Sequence, residues 1–447
     1  MRSNSRLFFP LLLVFLMLQF SCFTRKDRQA ETESVEATET VSSEAEKVPA
    51  TKPTSTTENQ ITSIPKVNVF LEVSGGMVGF MPKGGAASEG TNFQKSVAGL
   101  LTEVNYSKAV QQKDFYFIRE KNGTSQLQKS TYNDVLKTVS SGIPNPALGT
   151  ELPEMLEQIL KESGKTKAVS VIVSDFIYGP ADKTKFNIIP QLIRGALNEA
   201  QEKDLVVSVF ADQSNFTGSF HPAVKQPVAK RELKGTKMPY YVWVIGPQEE
   251  VILFNQKVFK DHPEQQAHFG FNYPEPVFEA LTKLKPSGMV YCSERKPTGG
   301  CKSVTIGPQK DTPVEFEIGL NLESLPTLLQ KPEYLKQNLQ LNGKGFSGTI
   351  ISVKQANAKD PAQEKYSHLV RVRITQAIAK SGQLVLTLPE KPAGWVNQWT
   401  TQNDNNPVAQ PGKTFKLKEV LAGVQSLYSE QRNVFSISLN FIKDAND

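Results

Sequence analysis

Three cysteines and four histidines in 447 residues are too few for the common soft-metal and redox frameworks. A structural zinc site needs four Cys or His at close spacing. His221, His262, His268 and His368 are instead scattered, and none adjoins a nucleophile pattern. No glycine-rich turn ends in Gly-Lys followed by a hydroxyl, so a phosphate-cradling loop is missing, and so is the spaced triple glycine of a dinucleotide fold. Basic residues exceed acidic ones by only 6, without an arginine-rich or lysine-rich run. That distribution excludes the footprint of a nucleic-acid binder. The expectation is a protein that is not an enzyme. Long apolar runs are scarce too: the run at 7–20 is shorter than the roughly 20 residues a membrane helix needs.

That short run follows Arg2 and Arg6 and has the shape of a signal-peptide core. It ends at Ser21-Cys22, which resembles the bacterial lipoprotein signal, in which the cysteine is lipidated after cleavage. Leu18 and Ser21 match that pattern, whereas Gln19 and Phe20 depart from it. The resemblance implies a signal peptide at 1–21, a lipid anchor on Cys22, and a cell-envelope location, periplasmic or surface-exposed. A plain secretory peptide with an incidental cysteine is the alternative. Residues 22–64 are Glu, Thr, Ser, Ala, Lys and Pro with hardly an aliphatic side chain, so they cannot bury enough surface to offset ordering. A tether of this kind has a typical end-to-end distance of about 35 Å.

The folded chain is organised around residues 67–80. Val67, Val69, Phe70 and Leu71 read as a buried strand that breaks at Glu72-Val73-Ser74-Gly75-Gly76-Met77 into a glycine-rich loop. Thr91 is placed to cap a helix carrying Phe93, Val97, Leu100, Leu101 and Val104. Further strands are expected at 115–118, 168–174, 206–210 and 240–245, with helices after Thr150 and through Ile188–Leu197. Alternation of this kind predicts an α/β domain at 65–260 with a doubly wound, mostly parallel sheet. Beyond it, short alternating runs such as Val314, Phe316, Ile318 and Phe435, Ile437, Leu439 predict a second, β-rich, sandwich-like domain at 265–447. Cys292 and Cys301 flank a turn-rich Pro-Thr-Gly-Gly and are expected to form a disulfide. Tyr240, Tyr241 and Trp243 read as core. Trp395 and Trp399, followed by Asn403, Asp404 and Asn405, read as a lid over the β-rich core, with a glycan or partner loop as the rival.

One constellation carries chemistry. Glu72 and Ser74 follow the first strand, Thr150 starts a helix, and Asp175 ends the buried strand at 168–174. All are expected at the carboxyl edge of the sheet, where doubly wound folds bind ligands. In that order they resemble a von Willebrand factor A domain, whose metal-ion-dependent adhesion site uses Asp-x-Ser-x-Ser, a distant Thr and a distant Asp. Glu72 stands for the first Asp, Ser74, Thr150 and Asp175 match, and Gly76 occupies the place of the second Ser. The resemblance implies Mg²⁺ or Mn²⁺ on Glu72, Ser74, Thr150 and Asp175, because hydroxyl and carboxylate oxygens suit hard cations. It also implies a protein partner bound through an acidic residue, with Gly76→Ser expected to strengthen the site. The alternative is a non-metal structural subunit of an envelope assembly.

Overall fold

The computed structural model describes residues 62–444 apart from 84–88, 122–123, 148, 150, 181, 199–204, 295–299, 308–312 and 429–432. Cys22, nearly all of the tether and Thr150 therefore lie outside the described residues.

A seven-stranded sheet is built from β1 (Ile64–Glu72), β2 (Val110–Lys121), β3 (Thr124–Ser130), β4 (Val169–Ser174), β5 (Leu205–Phe220), β6 (Arg231–Pro247) and β7 (Gln265–Phe269). Their spatial order is β3-β2-β1-β4-β6-β5-β7. β1 and β4 are almost continuously apolar because both of their faces are covered. One face packs on α1 (Asn92–Tyr106), α2 (Tyr132–Ser141) and α5 (Gln248–Lys257) through Phe93, Val97, Val135, Val139, Val251 and Phe254. The other packs on α3 (Leu152–Gly164) and α4 (Ile189–Asn198) through Leu156, Ile159, Ile189 and Ile193. As expected, Thr91 caps α1: its side chain accepts from Gln94 N, and the Gln94 side chain accepts from Thr91 N.

The sheet is mixed, which corrects the expectation of a mostly parallel one. Only β1–β2 and β1–β4 run parallel; β2–β3, β4–β6, β5–β6 and β5–β7 run antiparallel. No helix separates β5 from β6, and strands joined without a crossover pair as a hairpin. The outer halves of these strands carry Gln213, Asn215, Thr217, Lys234 and Lys237, so only their apolar inner halves read as strands in the sequence.

The β-rich part holds two facing sheets. β8 (Phe278–Leu281), β9 (Val290–Cys292), β10 (Ser303–Ile306), β11 (Val314–Leu320), β12 (Gln340–Lys344), β13 (Phe346–Gln355), β14 (His368–Ala377) and β15 (Ser381–Pro389) contribute to them. The short helices α6 (Thr327–Gln330) and α7 (Pro332–Asn338) lie between β11 and β12. After β15 come α8 (Trp395–Gln398), the two-residue strands β16 (Thr400–Thr401) and β17 (Thr414–Phe415), α9 (Leu417–Gln425) and β18 (Asn433–Lys443). The five-stranded sheet β12-β15-β18-β10-β9 and the four-stranded sheet β13-β14-β11-β8 share one core of Phe316, Ile318, Val372, Leu386, Ile437 and Leu439. The expected disulfide joins Cys292 and Cys301, with Cα atoms 5.8 Å apart. Cys301 bridges to Ala280 of β8, so the bond ties β9 to the edge of the opposite sheet.

Packing crosses the expected 260/265 boundary. β7 pairs with β5 as the last strand of the α/β sheet. Trp395 and the α9 residues Leu417, Val420, Leu421 and Val424 join Ile193 and Trp243 in the core on that sheet's second face. Trp395 is therefore a lid over the α/β core and not over the β-rich one; its Nε1 donates to Gln266 O at 2.9 Å. Residues 59–447 form one compact unit.

Candidate functional site

β1 and β4 are parallel neighbours, so both reach the same sheet edge. Leu71 pairs with Val173, which brings Glu72 beside Ser174 and Asp175. The Ser174 hydroxyl donates to Glu72 Oε2 and its oxygen accepts from Phe176 N at 2.9 Å. Asp175 Oδ1 accepts from Ile177 N at 3.0 Å. Between them, Phe176 adopts a left-handed φ of 51°, a conformation that costs a residue with a Cβ on the order of 1 kcal/mol. Stacking of its ring on Trp243, with centroids 4.3 Å apart, fixes that conformation. The turn thus sends the Phe176 ring into the core and leaves the Asp175 carboxylate at the edge.

Across from it, Ser74 opens a 3₁₀ turn at Gly75–Phe80 without using its side chain as a cap. Gly75 N donates to Ala147 O at 2.9 Å, and Ala147 N to Val73 O at 3.0 Å, which binds the loop before Thr150 to the same edge. Gly76 lies where Asp175 and Ser74 converge: a Cβ there would stand 2.8 Å from Asp175 Oδ2 and 3.5 Å from Ser74 Oγ. A side chain at 76 would therefore have to shift the Asp175 carboxylate, so the hydroxyl of Gly76→Ser, expected to strengthen the site, would come with a moved Asp175.

The structure brings Glu72, Ser74 and Asp175 together at one edge, while Thr150 lies outside the described residues. All three are enclosed, at 4%, 3% and 6% relative exposure. Burial first, and the Glu72 charge second, push the Asp175 carboxyl up to about 8. The Asp175 carboxyl therefore keeps its proton at neutral pH. Oxygen donors of this kind fit hard cations such as Mg²⁺ or Mn²⁺, and Glu72, Ser74 and, once its proton is lost, Asp175 would hold one. Among the described residues, no group of three His, Cys, Asp or Glu is placed to share a metal ion, so such a site would rest on two carboxylates and hydroxyls.

Asp404 was not among the expected site residues. It adds to the charge that raises Asp175, and it accepts from Ala223 N at 2.8 Å and Val224 N at 3.0 Å. Next to it, Asn405 Nδ2 donates to Val224 O and Val228 O, and its Oδ1 accepts from Arg231. Tyr241 O–H donates to Thr414 Oγ1 at 2.8 Å. Residues 399–416 are thus a strap stitched onto the β5–β6 hairpin beside the acidic pair. The Asn403-Asp404-Asn405 stretch is used for internal hydrogen bonds. Its only sequence signal was that dense run of short polar side chains.

No family model matches this chain, and neither does any curated protein or solved structure. Among the described residues no helix is long and apolar enough to cross a membrane.

Proposed function

We propose that this chain is a lipid-anchored cell-envelope binding protein whose α/β part resembles a von Willebrand factor A domain. In this reading Cys22 carries the anchor, and the tether sets the folded part off the membrane. Glu72, Ser74, Thr150 and Asp175 hold Mg²⁺ or Mn²⁺. When bound, the cation supplies an open coordination position for an acidic residue of a protein partner. One observation carries this reading: a buried pair of carboxylates, Glu72 and Asp175, meets at the ends of adjacent parallel strands, with the Ser74 hydroxyl nearby. Such a pair is costly to bury without a proton or a cation between its members.

A second reading has its own support. The strap around Asp404 and the low exposure of all three residues favour a packing block without metal, a structural subunit of an envelope assembly. Melting curves separate the two. With Mg²⁺ or Mn²⁺ at a hundredfold excess over Kd, the binding reading requires stabilisation of about 2.7 kcal/mol. Asp175→Asn should abolish it. A melting temperature indifferent to both cations leaves the structural subunit. For the anchor, Cys22→Ala should abolish lipid labelling, and unchanged labelling would remove that part of the proposal.

A further inference from the structure

A half-open cavity of about 190 Å³ lies where α5, β5 and β7 meet the 324–330 segment. It is separate from the acidic pair and does not depend on the cation reading. Its walls are mostly apolar, with Phe210, Ile252, Phe271, Leu325 and Pro326 among them. An apolar cavity of about 150 Å³ is enough for benzene, so the space here accepts one six-membered ring.

A directed chain of hydrogen bonds runs along this cavity. Its sense is set by Gln266, whose amide nitrogen donates to Pro263 O at 2.9 Å and to His262 Nδ1 at 3.1 Å. With the nitrogen placed there, Gln266 Oε1 can only accept, and it takes the proton of His268 Nε2 at 3.2 Å. His268 Nδ1 is then the acceptor for the Ser208 hydroxyl at 2.9 Å, and Ser208 Oγ accepts from Asn255 Nδ2 at 3.0 Å. His262, which accepts at Nδ1, carries its proton on Nε2 and donates to Thr327 Oγ1 at 3.3 Å. Burial keeps both rings neutral, lowering His262 and taking His268 to about 3. Each group from Asn255 to His262 thus donates to the next, and a chain of this kind polarises toward its last donor.

That last donor is reachable. Thr327 lines the cavity and is exposed, and among the described residues no acceptor takes its own O–H proton. Lys260, also exposed, is the one charged residue of the lining, and among the described residues it has no ion-pair partner. No lining residue is acidic, and Glu264, two residues past His262, is held by Lys331 at 3.0 Å. An apolar recess is therefore edged by a polarised hydroxyl donor and an ammonium, with no carboxylate in the lining to repel an anion. We propose that this cavity binds a small ring carboxylate, its ring among the apolar walls and its charge met by Thr327 and Lys260. An ionised carboxylate only accepts, so it matches both donors at once.

Fluorine NMR of 4-fluorobenzoate with the full chain tests this. Saturable broadening is expected with Kd of about 1 mM or below, within reach of a ligand of about ten non-hydrogen atoms. The uncharged isostere 4-fluorobenzamide loses the charge-assisted bonds and should bind at least about tenfold more weakly. Fluoroacetate keeps the carboxylate but has no ring to bury, and it too should bind at least about tenfold more weakly. Thr327→Val removes the hydroxyl and Lys260→Met the ammonium, both at exposed positions where the fold should stand. Each should weaken 4-fluorobenzoate by about three- to tenfold. Absence of saturable broadening, equal binding of 4-fluorobenzamide or fluoroacetate, or undiminished binding by either variant would overturn the proposal.

Discussion

Asp175→Asn offers a test of the acidic pair that needs no ligand. In the folded protein the Asp175 carboxyl holds its proton to about pH 8, against an ordinary value of 3.8. Because the folded-state value is raised, the stability it contributes is fully present below about pH 4 and is lost as the pH climbs to about 8. The limiting slope for one proton is about 1.4 kcal/mol per pH unit. The histidines have the opposite sign. Burial lowers His221, His262, His268 and His368, so their contribution is present above about pH 6.5 and is lost as the pH falls. Below pH 6.5 the two effects oppose each other. The unfolded histidines still release protons between about pH 6.5 and 7.5 with the opposite sign, so Asp175 is read as the difference between the wild type and Asp175→Asn. Asp175→Asn keeps the size and the oxygen that accepts from Ile177 but has no proton to lose. From pH 6.5 to 8, in EDTA, urea unfolding should show the wild type losing at most about 2 kcal/mol relative to Asp175→Asn. Glu72→Gln should move the wild-type slope to lower pH by removing the neighbouring charge. Parallel pH dependence of the wild type and Asp175→Asn from pH 6.5 to 8 would refute the raised Asp175 carboxyl.

Other substitutions probe the surroundings of the pair. Gly76→Ala should cost about 1–3 kcal/mol by crowding Asp175 Oδ2, measured as a lowered urea midpoint, whereas an unchanged midpoint would show that the carboxylate lies elsewhere. Cys292→Ser with Cys301→Ser should lower stability by about 2.5 kcal/mol in the loop-entropy model, and mass spectrometry of unreduced peptides should find the bond intact in the parent. A fragment ending at Phe259 should be insoluble, because it lacks β7 and leaves Ile193 and Trp243 without α9; a soluble, protease-resistant fragment would restore the 260 boundary.

How much of this was legible in the chain varied with the reach of the contact. The runs at 67–71 and 168–174, broken inside only by Asn68 and Ser170, are rich in β-branched and other apolar side chains because β1 and β4 are buried on both faces, and they were plain in the sequence. The helix at 132–141 has Val135 and Val139 on one face behind a Thr131 cap; that signal was present but lost among polar neighbours. The hairpin of β5 and β6 was invisible because its outer halves alternate polar residues over solvent, which reads as loop. α9 carries Leu417, Val420, Leu421 and Val424 at helical spacing inside strand-like texture, and nothing local says that it packs against Ile193. Within the site, Glu72, Ser74 and Asp175 could be placed at one edge because each ends or follows a parallel strand. Asp404 could not: it meets Ala223 across 181 residues, and no local pattern encodes a contact of that range.

The cation reading is tested most directly by titrating Mn²⁺ and Mg²⁺ into the metal-free protein at pH 7 by calorimetry, in two buffers of different ionisation heat. A cation that replaces the proton held by Asp175 should bind with release of close to one proton, visible as different apparent heats in the two buffers. Affinity should rise as the pH approaches 8, and Asp175→Asn should lose both the binding and the proton release. No heat at millimolar cation, or binding that Asp175→Asn leaves intact, would contradict the site and leave the α/β part as a structural block.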